Sequence, residues 1–306
     1  MAAVIGTGLN VSGLRSEFFQ RYDGTQTHFG ELATRIASTK DRESYKWLGS
    51  IPKMREWGQG RLARGVRTES YDVTNLKYEA TMEVDRDEID DDQTGQIRIR
   101  VNELAQRAAT HKDYLISQLL INGQTAGFNS YDGVAFFADA HVSGASGSQD
   151  NQLGASAAAP TDPTVAEFKT ALRAAISAML AFKDDVGDPA MMSANGLSCI
   201  VPPSMYLNAL EALSATLIGN TTNVLQGAAK VISFPWLAGA PTKWYLLKTD
   251  GIVRPFIFQD RSPVEFTALE ENSDEGFRRE KFLYGVRARY AMTYGEWRAA
   301  IVTTFS

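Results

Sequence analysis

TGQIRIRVNELAQRAATHKDYLISQLLI, residues 94–121, is the stretch on which the fold turns. Ile97, Val101, Leu104, Ala105, Ala108, Leu115, Ile116, Leu119 and Leu120 recur at the spacing of one helix face. Asp90, Asp91 and Asp92 stand just before it, where the helix macrodipole favours negative charge. Asn122–Gly123 predicts a left-handed cap at its end. At 1.5 Å per residue such a helix is roughly 40 Å long, more than a compact core needs, so the pattern predicts a strut.

Upstream, residues 40–92 predict a long β-hairpin with its turn around 58–65. Its second arm alternates through Tyr71, Val73, Leu76, Tyr78, Ala80, Met82 and Val84, with one slip next to Asn75. The arms differ in charge: residues 40–70 hold eight basic against four acidic side chains, and residues 71–95 hold nine acidic against Lys77 and Arg86. Such a hairpin can pair internally or with a copy of itself. Residues 1–39 predict an arm of short helices, with Leu14, Phe18 and Phe19 on one face.

Downstream, the Gly/Ser/Ala-rich residues 139–162 predict a mobile surface loop. Thr164 and Glu167 form a capping-box pattern ahead of an apolar stripe of Phe168, Leu172, Ala175, Ile176, Met179 and Leu180. Leu197–Val201 predicts a buried strand, and Ser204 a cap for a helix carrying Tyr206, Leu207, Leu210 and Leu213. Strand patterns dominate after Gly219. The order is α+β, without βαβ alternation.

The 306 residues are 44% apolar and 22% charged, which excludes a disordered or collagen-like chain. A net charge of −5 makes the chain a poor phosphate clamp. Cys199 stands alone, so neither an intrachain disulfide nor a cysteine zinc cluster is available. MAAVIGTGLN lacks the basic region of a secretory signal, and apolar runs such as Tyr114–Ile121 are far short of the ~20 residues that cross a bilayer. A soluble protein made in a reducing cytoplasm is the expectation.

Catalytic chemistry is hard to find. His28, His111 and His141 have no metal-ligand spacing, and no phosphate-binding loop or nucleophile elbow exists. Cys199 sits in an apolar strand, where a thiol is inert packing. No catalytic residue, metal or cofactor is expected. The acidic run Asp85, Asp87, Glu88, Asp90, Asp91 and Asp92 lacks the glycine and closing glutamate of a calcium loop. It reads as a solvated helix start or as a partner for basic groups of another subunit. Tyr45, Trp47 and Trp57 lie among Arg55, Arg61 and Arg64, a mixture that suits single-stranded nucleic acid or a protein hot spot. The acidic second arm would repel phosphate, so a protein partner is favoured. The expected inter-subunit contacts are therefore Tyr45, Trp47, Arg55, Trp57, Arg61, Arg64, Asp87, Asp90, Asp91 and Asp92.

SYKWLGSIPKMREWGQGR (Ser44–Arg61) resembles the Tyr-x-Trp-Leu-Gly, Arg-Glu-Trp, Gly-x-Arg stretch of the major head subunits of Mu-like bacteriophages. The resemblance runs on through VDRDEIDDD (Val84–Asp92), YDGVAFF with His141, IVPP (Ile200–Pro203), FPWLAGAPTKWYLL (Phe234–Leu247), VRPFIFQDRSPVEF (Val253–Phe266) and FLYGVRAR (Phe282–Arg289). It implies a major capsid protein of the Hong Kong 97-type fold. The implied parts are an N-terminal arm (1–39), an E-loop hairpin (40–92) and a P domain with its spine helix (93–195). An A domain (196–255) and strands returning to the P domain (256–306) complete them. Implied partners are other copies, as hexamers and pentamers of an icosahedral shell, separate scaffold, protease and portal proteins, a decoration protein in some shells, and packaged double-stranded DNA held without sequence-specific binding. Implied localisation is the virion, with assembly in the bacterial cytoplasm and no membrane. Some relatives crosslink through a Lys–Asn bond; Lys53 lies in the hairpin, but no partner residue is identified. An encapsulin-type compartment shell is the nearest alternative, and a cytosolic hydrolase the alternative of a different class.

Overall fold

The computed structural model describes residues 11–46, 71–90, 95–191, 193–269 and 273–306. The chain runs through helix α1 (Val11–Gly24), the single turn α2 (Phe29–Leu32) and strands β1 (Ala33–Ala37), β2 (Arg42–Tyr45), β3 (Tyr71–Thr74) and β4 (Leu76–Asp85). The short α3 (Arg86–Asp90) precedes the long α4 (Gln96–Asn122). Next come β5 (His141–Val142), β6 (Ser148–Gln149), β7 (Gln152–Ala155), α5 (Val165–Ala181), β8 (Leu197–Val201) and α6 (Tyr206–Ser214). They are followed by β9 (Leu217–Ile218), β10 (Thr221–Thr222), β11 (Lys230–Ser233), β12 (Lys243–Lys248) and β13 (Phe256–Leu269). The series closes with α7 (Asp274–Arg279), β14 (Lys281–Tyr294) and β15 (Ala300–Phe305).

Two main sheets organise these elements. One has the order β1-β13-β14-β4, the other β11-β8-β12-β15-β7. β8 is buried at all five positions because it has a strand on either side and helices over it, the setting in which an unbroken apolar run is stable. β13 and β14 form a long antiparallel ribbon; Pro263 falls where its register shifts, at a position that need not donate to the ladder.

The strut helix is observed, and its length has a packing reason. Its first half buries Ile97, Val101 and Ala105 with Leu14 and Phe18 of α1 and with Val84, Phe266 and Phe282 of the β1-β13-β14-β4 sheet. Its second half buries Ile116 and Leu120 in the main core with α5, α6 and the five-stranded sheet. One helix thus spans two apolar cores. Its end differs from expectation: Gly123 is right-handed, at φ −62°. Glycine is required there for space, since a Cβ would lie 2.6 Å from the Phe137 ring.

Other departures have local causes. Residues 76–85 do not continue the hairpin. β2 pairs with β3, but β4 pairs with β14, because the buried Asn75 shifts the alternation between the two segments. Residues 256–306 do not return as one unit: β13 and β14 join the sheet of β1 and β4, whereas β15 inserts between β12 and β7. The bend comes at Gly295, where a Cβ would sit 2.4 Å from the Arg254 carbonyl oxygen. Ser204 caps nothing; it lies inside a 3-10 turn, Pro203–Met205, that feeds α6, and Leu207 faces solvent while Ala209, Ala212 and Leu213 are buried. The capping box holds, with Glu167 accepting the Thr164 amide at 2.8 Å.

Candidate assembly site

β2 and β3 pair at the base of the expected hairpin, and a buried polar relay fixes that base. Tyr45 donates its hydroxyl to Gln259 Oε1 at 2.6 Å. Gln259 donates to Asn75 Oδ1 at 2.8 Å and to the Val73 carbonyl at 3.3 Å. Asn75 donates in turn to Ser38 Oγ and the Lys40 carbonyl, both at 2.9 Å. All four side chains are buried, so each polar atom left unmet would cost about 1–3 kcal/mol. Burial, then the charge of Glu43, pushes the Tyr45 hydroxyl up to about 12, so it stays a donor. Glu43 closes the turn before β2 by accepting from Ser38 Oγ and the Thr39 and Lys40 amides, which hold its carboxyl below the usual range. Ion pairs of Arg42 with Asp72 at 2.8 Å and Arg289 with Asp41 at 3.0 Å flank the base.

Of the contact residues expected from sequence, Tyr45 is spent in this relay. Asp87 is exposed on α3, its amide donating to Asp85 Oδ1 at 3.1 Å. Asp90 closes α3. Trp47, Arg55, Trp57, Arg61, Arg64, Asp91 and Asp92 lie outside the described residues, as does the expected turn. Sequence reading missed Gln259, Asn75 and Ser38. The available signals were the slip at Asn75 and a lone amide in the apolar run VRPFIFQ.

The stretch expected as a mobile loop is instead a second polar anchor. His141 is fully buried, bonded through Nδ1 to Asp132 at 2.6 Å and stacked on Trp297 at 4.1 Å between ring centres. Asn151, also fully buried, donates to the carbonyls of Phe136, Trp297 and Ala300 and accepts the Ala138 amide at 2.9 Å. Arg298 donates to Glu296 at 2.9 Å and to the Tyr131 hydroxyl at 2.7 Å, and its Nε reaches the Lys183 carbonyl at 2.9 Å. These bonds fix residues 128–151 against the bend before β15. A small, polar composition marks a loop only where the polar groups find water; here they find each other.

The cysteine is in β8, where burial raises its thiol pKa far above the usual value. Among the described residues, no group of three or more His, Cys, Asp or Glu is placed to hold a metal ion, and no helix is long and apolar enough to cross a membrane. His111 faces Tyr290 across a 2.6 Å hydrogen bond.

The model of the family "Mu-like prophage major head subunit gpT" matches residues 9–163, 166–237 and 238–304. The Mu-like prophage FluMu major head subunit of Haemophilus influenzae is 24% identical over 277 residues, 90% of this chain and 65% of the relative. The major capsid protein of Escherichia phage Mu is 24% identical over 288 residues, 94% of this chain and 70% of the relative. The chain thus spans about two thirds of the length of these relatives. The procapsid protein of bacteriophage JBD30 superposes with a TM-score of 0.55 at 24% identity, covering 96% of this chain and 74% of that one. Strut helix, twin sheets and anchored hairpin base are together the Hong Kong 97-type phage capsid fold, and the chain belongs to the Mu-like prophage major head subunit family.

Proposed function

We propose that this chain is the repeating unit of a phage head: copies associate as hexamers and pentamers and close into an icosahedral shell around double-stranded DNA. The observation that carries the reading is family membership over nearly the whole chain. The surface of the single subunit supports it. Leu207, Leu217, Val224 and Ile252 are 73%, 60%, 72% and 96% exposed, apolar side chains open to neighbouring copies in this reading. The division of the chain into arm, hairpin, P domain and A domain follows the same reading. A net charge of −5 suits a wall that contains its genome without clamping it. In this reading the protein performs no catalysis, and scaffold, protease and portal proteins complete the head.

Arg55, Arg61 and Arg64, with Trp47 and Trp57, are proposed to lie over the acidic segment of a neighbour, toward Asp87, Asp90, Asp91 and Asp92. Opposed charge blocks set register and penalise wrong partners. The test is electron microscopy and light scattering of the purified protein at high concentration. Rings, shells or tubes are expected, and a monodisperse monomer at every concentration and salt would overturn the proposal. Genome-length nucleic acid in particles from infected cells separates a phage head from a cargo compartment, an alternative that the phage-head relatives leave with less support.

A further inference from the structure

β4 ends the order β1-β13-β14-β4, so its ten residues pair with β14 on one side and, among the described residues, with no strand on the other. Long free edges present a row of unpaired N–H and C=O groups, which proteins normally cover, bend or charge. This one is mostly exposed along its length, and Leu76 at its start is 54% exposed. Its two faces are distinct. Tyr78, Met82 and Val84 lie on the α4 side, where Tyr78 packs against His111 of α4 and Tyr290 of β14, and Met82 and Val84 join the core of α1 and α4. Lys77, Glu79, Thr81 and Glu83 alternate to the opposite face, where Glu83 pairs with Lys281.

We propose that the free edge of β4 is an interface between subunits, formed by antiparallel pairing of β4 with β4 of a second copy about a two-fold axis centred on Ala80. This rests on the shell reading above and names one of its contacts. The sequence LKYEATMEVD selects the register. Only registers that keep the even positions on the helix side are allowed, because a one-residue slip turns every side chain to the wrong face. Among these, centring on Thr81 sets Glu79 against Glu83, centring on Glu79 sets Glu79 against itself, centring on Met82 sets Glu79 against Asp85, and centring on Tyr78 opposes no like charges but pairs only Leu76–Ala80, half of the edge. Centring on Ala80 sets Lys77 against Glu83, Glu79 against Thr81, Tyr78 against Met82 and Leu76 against Val84, with no like charges opposed. The small Ala80 meets its own copy at the axis. The same register covers Leu76 and places Met82 of the partner subunit beside Tyr78, at the rim of a cleft of about 350 Å³ lined by Tyr78, Ala80, Leu104, Ala108 and Val286.

Cysteine crosslinking of assembled particles tests this. Directly opposed residues of an antiparallel pair have Cα atoms about 4.5–5.5 Å apart, within disulfide reach. The native Cys199 is fully buried and stays silent. Ala80→Cys, oxidised in air with copper phenanthroline, is expected to move the subunit from monomer to dimer on a non-reducing gel. Glu83→Cys alone is expected to stay monomeric, since six residues of offset place it roughly 20 Å from its copy. Lys77→Cys combined with Glu83→Cys is expected to give the dimer again, and carries the test if Ala80→Cys does not assemble. Particles in which neither variant forms the dimer, or in which Glu83→Cys alone forms it, overturn the pairing and leave the shell reading standing. Absence of any particle from the unsubstituted chain overturns both.

Discussion

Asp113, midway along α4, accepts the backbone N–H of Phe29 at 2.7 Å. The same carboxylate takes the His28 amide through both oxygens, at 2.9 and 3.1 Å. A buried carboxylate on the strut helix thereby fastens the start of α2, and with it the arm, at the junction of the two cores.

Removing that carboxylate should loosen the arm. Asp113→Ala leaves two amide donors unmet and is expected to cost about 1–3 kcal/mol in urea unfolding of the unassembled subunit. Asp113→Asn, which keeps an acceptor without charge, should cost less. Burial raises the Asp113 pKa, the two amides opposing only in part, so the folded state holds the proton more tightly than the unfolded one. That contribution is full below the ordinary value of 3.8 and is lost as pH rises through the higher folded value. Stability of the native protein relative to Asp113→Asn should therefore fall with rising pH across that window, and a flat difference would contradict it.

The relay at the hairpin base gives a second expectation. Gln259→Leu strands Tyr45, Asn75 and the Val73 carbonyl together. A loss of about 1–3 kcal/mol for each group that water cannot reach is expected. Amide exchange should accelerate at 42–45 and 71–74 more than in β8. Uniform acceleration would mean that the relay supports the whole fold and does not anchor the hairpin in particular.

Gly123→Ala should reverse the usual sign. In an exposed helix interior the change to alanine gains about 1 kcal/mol. Here the new methyl meets Phe137 at 2.6 Å, and overpacking of this kind costs about 1–3 kcal/mol. Phe137→Leu in the same chain should recover part of the loss, read as a shift in thermal midpoint.

Asn151→Ala should be among the most damaging single changes. It removes the donor to three carbonyls and the acceptor of the Ala138 amide at a fully buried site, at an expected cost of about 3 kcal/mol or more. Limited proteolysis should then cut within 139–150 before any other described segment.

The charge blocks of the hairpin make the fifth expectation. Arg61→Glu with Arg64→Glu should leave the far-ultraviolet circular dichroism unchanged and stop shell closure. Adding Asp90→Lys and Asp91→Lys should restore it. Each exposed pair contributes only about 0–1 kcal/mol, but a shell repeats every contact many times. Normal shells from the doubly reversed chain would mark these arginines as solvated surface.

Much of this protein was set by local chemistry and was legible in one sequence. The strut helix, the capping box at Thr164 and the buried strand Leu197–Val201 each rest on periodicity or on contacts three residues apart, which a linear chain displays. The family was legible because ordered motifs run the length of the chain. What the tertiary structure alone decided is long-range. Asn75 ends one strand system and starts another because Gln259, 184 residues away, holds its side-chain oxygen. Residues 139–151 are ordered because His141 stacks on the Trp297 ring and Asn151 bonds the carbonyls of Trp297 and Ala300. The glycine at 123 ends a helix for want of room beside Phe137, not for a left-handed turn. Periodicity reports which face of an element is apolar. It does not report which distant donor will meet a buried acceptor, and at the hairpin base and the bend before β15 that second fact decided the path of the chain.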